Sequence, residues 1–252
     1  MKILKSIIKK MVGYDHLPAL RSAADKWRHF GLARYCPCCR AHLRKFIPFG
    51  LIPRLEAQCP LCGSLERHRL IFLYITRKTN LFDGRQKRML HVAPEPHLSQ
   101  LFRKAEKMDY LSADLSSPEA MVKMDIMDIQ YSDNTFDVIF CSHVLEHVPD
   151  DRKAMREFYR VLKPGGWAIL QVPILAKATF EDSTVISREE RQRLFGQYDH
   201  VRQYGLDYKD RLIDAGFCVT VADFVRQLEY RTVRRLGLMR NEDVYFCRKE
   251  AS

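Results

Sequence analysis

The chain has 252 residues, 46% hydrophobic and 29% charged, a composition that supports a packed core and excludes a wholly disordered protein. The length fits one large domain, or one of about 150 residues with an added module. The formal net charge of +11 is unevenly placed: residues 1–88 carry 19 Lys/Arg against 5 Asp/Glu, a net of +14, and residues 89–252 carry 23 against 26, a net of −3. No run of about 18 apolar residues is present, so no transmembrane helix is expected.

The opening stretch MKILKSIIKKMVG lacks the uninterrupted apolar core and small-residue cleavage site of a secretory signal. Within residues 2–12, Ile3, Leu4, Ile7, Ile8, Met11 and Val12 recur at helical spacing, with Lys2, Lys5, Lys9 and Lys10 elsewhere on the wheel. Two readings stand: a terminal helix docked on the protein itself, or peripheral membrane contact by residues 1–12 on an anionic surface. Residues 1–33 are read together as an N-terminal basic helical segment.

Residues 34–80 read as a zinc-ribbon-like module and linking helix. Cys36 and Cys39, then Cys59 and Cys62, give C-x2-C-x19-C-x2-C. Each CxxC turn directs two sulfurs to one side, and two turns supply the closed tetrahedral shell of a structural Zn2+. Cys38 is a spare thiol that could replace a neighbour, and Gly63 stands where a tight knuckle needs positive φ. A closed shell leaves no open position, which assigns this metal to folding. Ser64 is the expected N-cap of a helix carrying Glu66 in its first turn and Leu70, Ile71, Leu73 and Tyr74 in its body. The interleaved basic and aromatic residues 44–50 and 64–69 serve either RNA contact or a solvated surface. The four other cysteines, Cys38, Cys141, Cys218 and Cys247, are dispersed, a usage that points to a reducing, cytoplasmic setting.

From Arg88 the pattern becomes short apolar strands alternating with helical stretches, the signature of a parallel sheet with crossover helices. Strands are expected at Met89–Ala93, Tyr110–Ala113, Phe136–Cys141 and Trp167–Val172. A helix is expected to run through Met155, Phe158, Tyr159 and Leu162 and to end at Lys163-Pro164-Gly165-Gly166. A long, mostly polar segment (176–200) follows, then a helix around 205–215 that stops at Gly216. Phe217–Phe224 and Asp243–Arg248 read as a closing strand pair, with a basic insert (Arg231, Arg234, Arg235, Arg240) between them.

The run from Asp125 to Pro173, with the order D-N-T-F-D-V, H-V-L-E-H-V, L-K-P-G-G, resembles the middle of a class I S-adenosylmethionine-dependent methyltransferase of the type 11 group. The resemblance covers about residues 88–250, and the ribbon followed by C-G-S-L-E-R-H-R resembles an extension of some bacterial members. It implies a Rossmann-like, seven-stranded, mostly parallel sheet whose last strand is antiparallel, with S-adenosyl-L-methionine as cofactor. Ligands of such sheets lie at the carboxyl ends of the strands near the topological switch point. Asp114, ending the second strand, is expected to accept from both ribose hydroxyls. The resemblance also places Asp125 near the adenine amine, Ile126 on the base plane, and Ser142 and His143 at the methionyl end and substrate mouth.

The first-strand loop departs from the family pattern of an acidic residue and glycine-rich turn. It reads His91-Val92-Ala93-Pro94-Glu95-Pro96-His97. Two prolines remove donors and fix φ, leaving the N–H groups of Glu95, His97 and Leu98. His91, Ala93 and Glu95 are the cofactor candidates here: Ala93 for close approach, Glu95 for the ammonium. His143 and His200 are the candidate bases, and His200, Arg202 and Tyr204 the candidate acceptor contacts. The expected activity is methyl transfer to a small-molecule or sugar-like acceptor, with RNA as another acceptor or partner of the basic front. The competing reading is a non-catalytic protein that grips nucleic acid or an anionic surface on a degenerate methyltransferase fold.

Overall fold

A computed structural model describes residues 23–50 and 53–251; the amphipathic stretch expected at residues 2–12 lies outside them. In chain order the elements begin with α1 (Ala23–His29), β1 (Arg34–Cys36), β2 (Ala41–Leu43), β3 (Ile47–Phe49), β4 (Arg54–Gln58) and α2 (Glu66–Lys78). Then come β5 (Lys87–Val92), α3 (Pro96–Arg103), β6 (Met108–Asp114), β7 (Val122–Lys123), β8 (Phe136–Ser142), α4 (Asp151–Val161) and β9 (Leu162–Gln171). The chain closes with β10 (Ile174–Ala176), β11 (Phe180–Glu181), α5 (Arg188–Phe195), β12 (Arg202–Gly205), α6 (Tyr208–Asp214), β13 (Cys218–Ala222), α7 (Tyr230–Leu236) and β14 (Val244–Arg248). They form two compact units, one of residues up to Arg77 plus Val225–Glu242, the other of Lys78–Phe224 plus the segment from Asp243.

The first unit is built on two antiparallel hairpins, β1–β2 and β3–β4, too small to bury a large apolar core. A charged side chain takes over part of that task. Arg69 of α2 is wholly buried and its guanidinium lies 3.8 Å from the centre of the Phe46 ring. It donates to four carbonyls: Ala57 (3.0 Å), Ser64 (2.8 Å), Leu236 (2.7 Å) and Gly237 (2.7 Å). The planar fork of arginine can satisfy several acceptors at once, and here it binds β4, the second CxxC turn and the end of α7 together. The basic insert therefore belongs to this unit, although its place between two strands suggested the body. Ser64 is not the side-chain cap of α2. Its hydroxyl lies 3.2 Å from the sulfurs of Cys36 and Cys62, and the Leu65 N–H donates to Nδ1 of His68 instead.

The second unit carries the expected sheet of seven strands, in the order β13-β14-β9-β8-β5-β6-β7. β5 through β9 are parallel to their neighbours, and β14 runs antiparallel to both β9 and β13. The central strands are apolar because both faces are covered: Leu90, Phe136, Ile139, Ala168 and Leu170 are fully buried, packed with Met155 and Phe158 of α4. The Lys-Pro-Gly-Gly stretch, expected to end a helix, lies within β9, since α4 already stops at Val161. Gly165, at φ 76°, turns the chain inside that strand. The polar segment after Pro173 folds into a small second sheet, β10-β12-β11, with α5 alongside. Gly205 of β12 leaves no room for a side chain: a Cβ there would stand 2.3–2.6 Å from the Ala178 backbone.

Candidate functional site

Strand order reverses at β5, which has β6 on one side and β8 on the other. This is the switch point of the sheet, and its crevice opens at the carboxyl ends of the strands. Two residues leave those ends in the left-handed region, Ala93 after β5 (φ 49°) and His143 after β8 (φ 56°), on strands paired in register from Met89–Val138 to Val92–Cys141. For a residue with a Cβ that conformation costs about 1–2 kcal/mol. Ala93 thus adopts the backbone usually given to glycine. Its N–H donates to the Ala113 carbonyl at 2.8 Å.

The proline-containing loop presents fewer donors than its sequence suggests. The Leu98 N–H already donates to the Glu95 carbonyl at 3.1 Å and is not available to a ligand. Glu95 is the N-cap residue of α3 and is buried, but its carboxylate does not cap the helix. His91 has no exposed surface to offer a ligand. Its Nδ1 is 2.9 Å from the Tyr110 hydroxyl and its ring meets Phe102 and Phe140 edge-on, a packing role within the sheet and helix core.

Asp114 ends β6, half-buried, with Oδ1 accepting from the N–H groups of Ser116 (2.8 Å) and Ser117 (2.7 Å). That turn aims the carboxylate and leaves Oδ2 without a hydrogen bond from any of the described residues. Asp125 is organised alike, its Oδ1 accepting from Met127 at 2.8 Å, while Ile126 is buried in the core beside it. Ser142 closes β8, almost wholly buried.

Beyond His143 a 3-10 helix (Leu145–His147) brings Glu146 inward, only 1% exposed. His143 Nδ1 stands 3.3 Å from Glu146 Oε1, whereas Glu146 Oε2 has no hydrogen-bond partner among the described residues. Burial pushes the Glu146 carboxyl up, but the hydrogen bond and charge of His143 outweigh it and leave it below the usual glutamate range. His200 lies across the chain against this turn: its ring centre is 4.7 Å from that of His147, and Val201 N–H donates to the Glu146 carbonyl at 2.9 Å.

The candidate acceptor contacts lie elsewhere than expected. Arg202 is 3% exposed and donates to the carbonyls of Leu145, Val148 and Pro149 and to Glu181. Tyr204, 1% exposed, donates to Asp151 Oδ2 at 2.6 Å, and Arg211 bridges Asp151 and Glu181. These side chains tie β12 to the 3-10 helix and the start of α4, with their polar atoms engaged internally. His200 is likewise buried, with Nδ1 on the Phe195 carbonyl at 3.1 Å. The H-V-L-E-H-V stretch contains Glu146 and His147, but nothing in it announces their junction with His200, 53 residues beyond His147. The signal was a Glu-His pair after a strand and a second Asp-His pair in the segment returning to it.

In the first unit the sulfurs of Cys36, Cys39, Cys59 and Cys62 lie within 4.8 Å of one another. The Cys36–Cys62 and Cys39–Cys59 separations are 3.6 and 3.8 Å. Cys38 packs beside this group, its Sγ 3.8 Å from the His68 carbonyl, while Cys36 and Cys39 are the two members of the first CxxC turn among the four converging sulfurs. The residue after each pair takes positive φ, Gly63 at 78° as expected and Arg40 at 57°: the two knuckles share one backbone shape.

Residues 79–170 match the family described as a methyltransferase domain. Among curated proteins, demethylmenaquinone methyltransferase of Listeria monocytogenes serotype 4a is 35% identical over 80 residues, 30% of this chain and 33% of that protein. Cycloartenol-C-24-methyltransferase 1 of Oryza sativa subsp. japonica is 48% identical over 44 residues, 18% of this chain and 13% of that protein. The chain thus spans about a third of the length of the first curated relatives it matches. Among solved structures, that of the 4+2 cyclase SpnF superposes with a TM-score of 0.50 at 17% identity, covering 73% of this chain and 82% of that one. Family match and strand order agree on the fold: the second unit has the Rossmann-like, seven-stranded sheet of methyltransferase domains. No described helix is long and apolar enough to cross a membrane.

Proposed function

We propose that the chain is a methyltransferase that takes its methyl group from S-adenosyl-L-methionine and gives it to a small-molecule acceptor. The observation that carries this reading is Asp114 at the end of β6, its Oδ1 locked by two N–H groups and its Oδ2 open at the sheet's switch point. That carboxylate suits a pair of ribose hydroxyls. Asp125 would accept from the adenine amine beside Ile126, Glu95 would pair with the ammonium, and Ala93, in its left-handed turn, would allow close approach. When bound, the cofactor supplies a methyl group activated by positive sulfur, so the protein's task is alignment, which can supply most of the acceleration.

His143 is the residue we assign to the acceptor's proton. Its Nδ1 side faces Glu146 Oε1 at 3.3 Å, an arrangement that leaves the Nε2 lone pair to act as base. A small-molecule acceptor is supported by the relatives, whose names specify demethylmenaquinone and cycloartenol. The four-cysteine cluster we assign to a structural Zn2+. Sulfurs bound tetrahedrally at about 2.3 Å stand about 3.8 Å apart, close to the 3.6 and 3.8 Å separations.

A second reading concerns partners. Arg231, Arg234, Arg235 and Arg240 are all exposed in the first unit, and such a set supports contact with RNA or another polyanion. Calorimetry with S-adenosylhomocysteine, followed by radiolabelled methyl transfer to separated small-molecule and RNA fractions of a cell extract, tests both. Saturable one-to-one binding with label in the small-molecule fraction is expected. Label in RNA alone would move the acceptor class, and no binding by folded protein would defeat the enzyme reading.

A further inference from the structure

We propose that Glu146, His147 and His200 bind a divalent transition metal ion, of the Zn2+ or Fe2+ class, at a site distinct from the four cysteines. One ligand atom from each of the three lies within 4.8 Å of the others. Glu146 Oε2 and His200 Nε2 are both buried with no hydrogen-bond partner among the described residues, and their residues are 1% and 4% exposed. Buried polar atoms left in that state are rare because each forfeits its hydration. A cation satisfies both at once.

The surroundings are those of a ligand set. His200 Nδ1 is 3.1 Å from the Phe195 carbonyl and His147 Nδ1 is 3.3 Å from the Asp199 carbonyl. A ring N–H held on a carbonyl fixes the tautomer and puts the lone pair on Nε2, as in metal-bound histidines. The other carboxylate oxygen of Glu146 is turned to His143. His147, with a side chain 34% exposed, has the freedom to close the shell. Zinc-bound N and O ligands stand roughly 3–3.5 Å apart, inside the 4.8 Å within which these three atoms already lie.

Two imidazoles and one carboxylate leave coordination positions open, unlike a closed four-thiolate shell, and that is the pattern of a metal that meets a ligand. The inference does not depend on methyl transfer, because metal binding is read directly.

The test is a Co2+ titration of the full chain, stripped by a chelator under reducing conditions, with metal content measured in parallel. Wild type is expected to take two equivalents: one with thiolate-to-cobalt charge transfer, one without. Glu146→Gln and His200→Gln are each expected to weaken the second at least 100-fold and to leave the thiolate band unchanged. If either variant fails to fold by circular dichroism, His147→Asn at the partly exposed ligand carries the same expectation. Binding only with the thiolate signature, or a second equivalent of unchanged affinity in the folded variants, would overturn the site.

Discussion

Asp114 offers a perturbation whose two roles separate cleanly. Its Oδ1 accepts from Ser116 and Ser117, and an asparagine carbonyl can accept the same two bonds. Asp114→Asn therefore keeps the turn, while the amide nitrogen replaces Oδ2 and converts an acceptor into a donor. Hydrogen bonds to a charged group contribute about 1.5–3 kcal/mol each. Losing the charge and part of a two-hydroxyl grip should cost about 3 kcal/mol, or roughly 100-fold in affinity. Asp114→Ala removes the turn as well, at a further cost of about 1 kcal/mol of folding stability. Calorimetry with S-adenosylhomocysteine, beside urea unfolding, resolves the two effects. The asparagine variant should bind about 100-fold more weakly yet unfold within about 0.5 kcal/mol of wild type, the range of an uncoupled surface change. Unchanged affinity in that variant would refute the ribose role and leave Asp114 a turn residue.

The other expectations concern packing and charge. Arg69→Met strands four buried carbonyls and should lower stability by about 3 kcal/mol or more, with hydrogen-exchange protection lost first near residues 57–64 and 236–237; a loss below about 1 kcal/mol would be inconsistent with its four bonds. Ala93→Gly relieves about 1–2 kcal/mol of left-handed strain against a larger entropy loss of about 0.5–1 kcal/mol, so thermal unfolding should show equal or slightly raised stability. Glu181 is held down to about 2, chiefly by its hydrogen bond to Arg211 and also by Arg202. A depressed carboxyl stabilises fully above its unfolded value near 4.5 and loses that contribution as pH falls toward 2, so acid unfolding in that window should be shallower in Glu181→Gln. Chelation under reducing conditions should unfold the first unit, read as lost circular dichroism that Zn2+ restores.

What the sequence made legible followed from strong periodicities. Phe136–Cys141 is apolar throughout because its strand is covered on both faces, and two CxxC pairs announce four converging sulfurs. The left-handed turns at Arg40, Ala93 and His143 were not legible, because tertiary contacts impose them on residues with no preference for positive φ. Nor was the destination of residues 225–242, since their partner Arg69 is far away in the chain and reads there as one more basic surface residue. Arg202 and Tyr204 misled for the opposite reason: polar side chains in a polar segment suggested exposure, whereas their hydroxyl and guanidinium are satisfied internally by carbonyls and Asp151.

The staple made by Arg69 has a consequence for biogenesis. Two of its four acceptors, Leu236 and Gly237, are synthesised almost 170 residues after it. During translation the cysteine-bearing segment must wait, its guanidinium half-satisfied, until nearly the whole polypeptide has left the ribosome. A fragment cut after residue 80 would lack both of those acceptors, so the cysteine-bearing front excised alone would carry a buried guanidinium with half its partners missing.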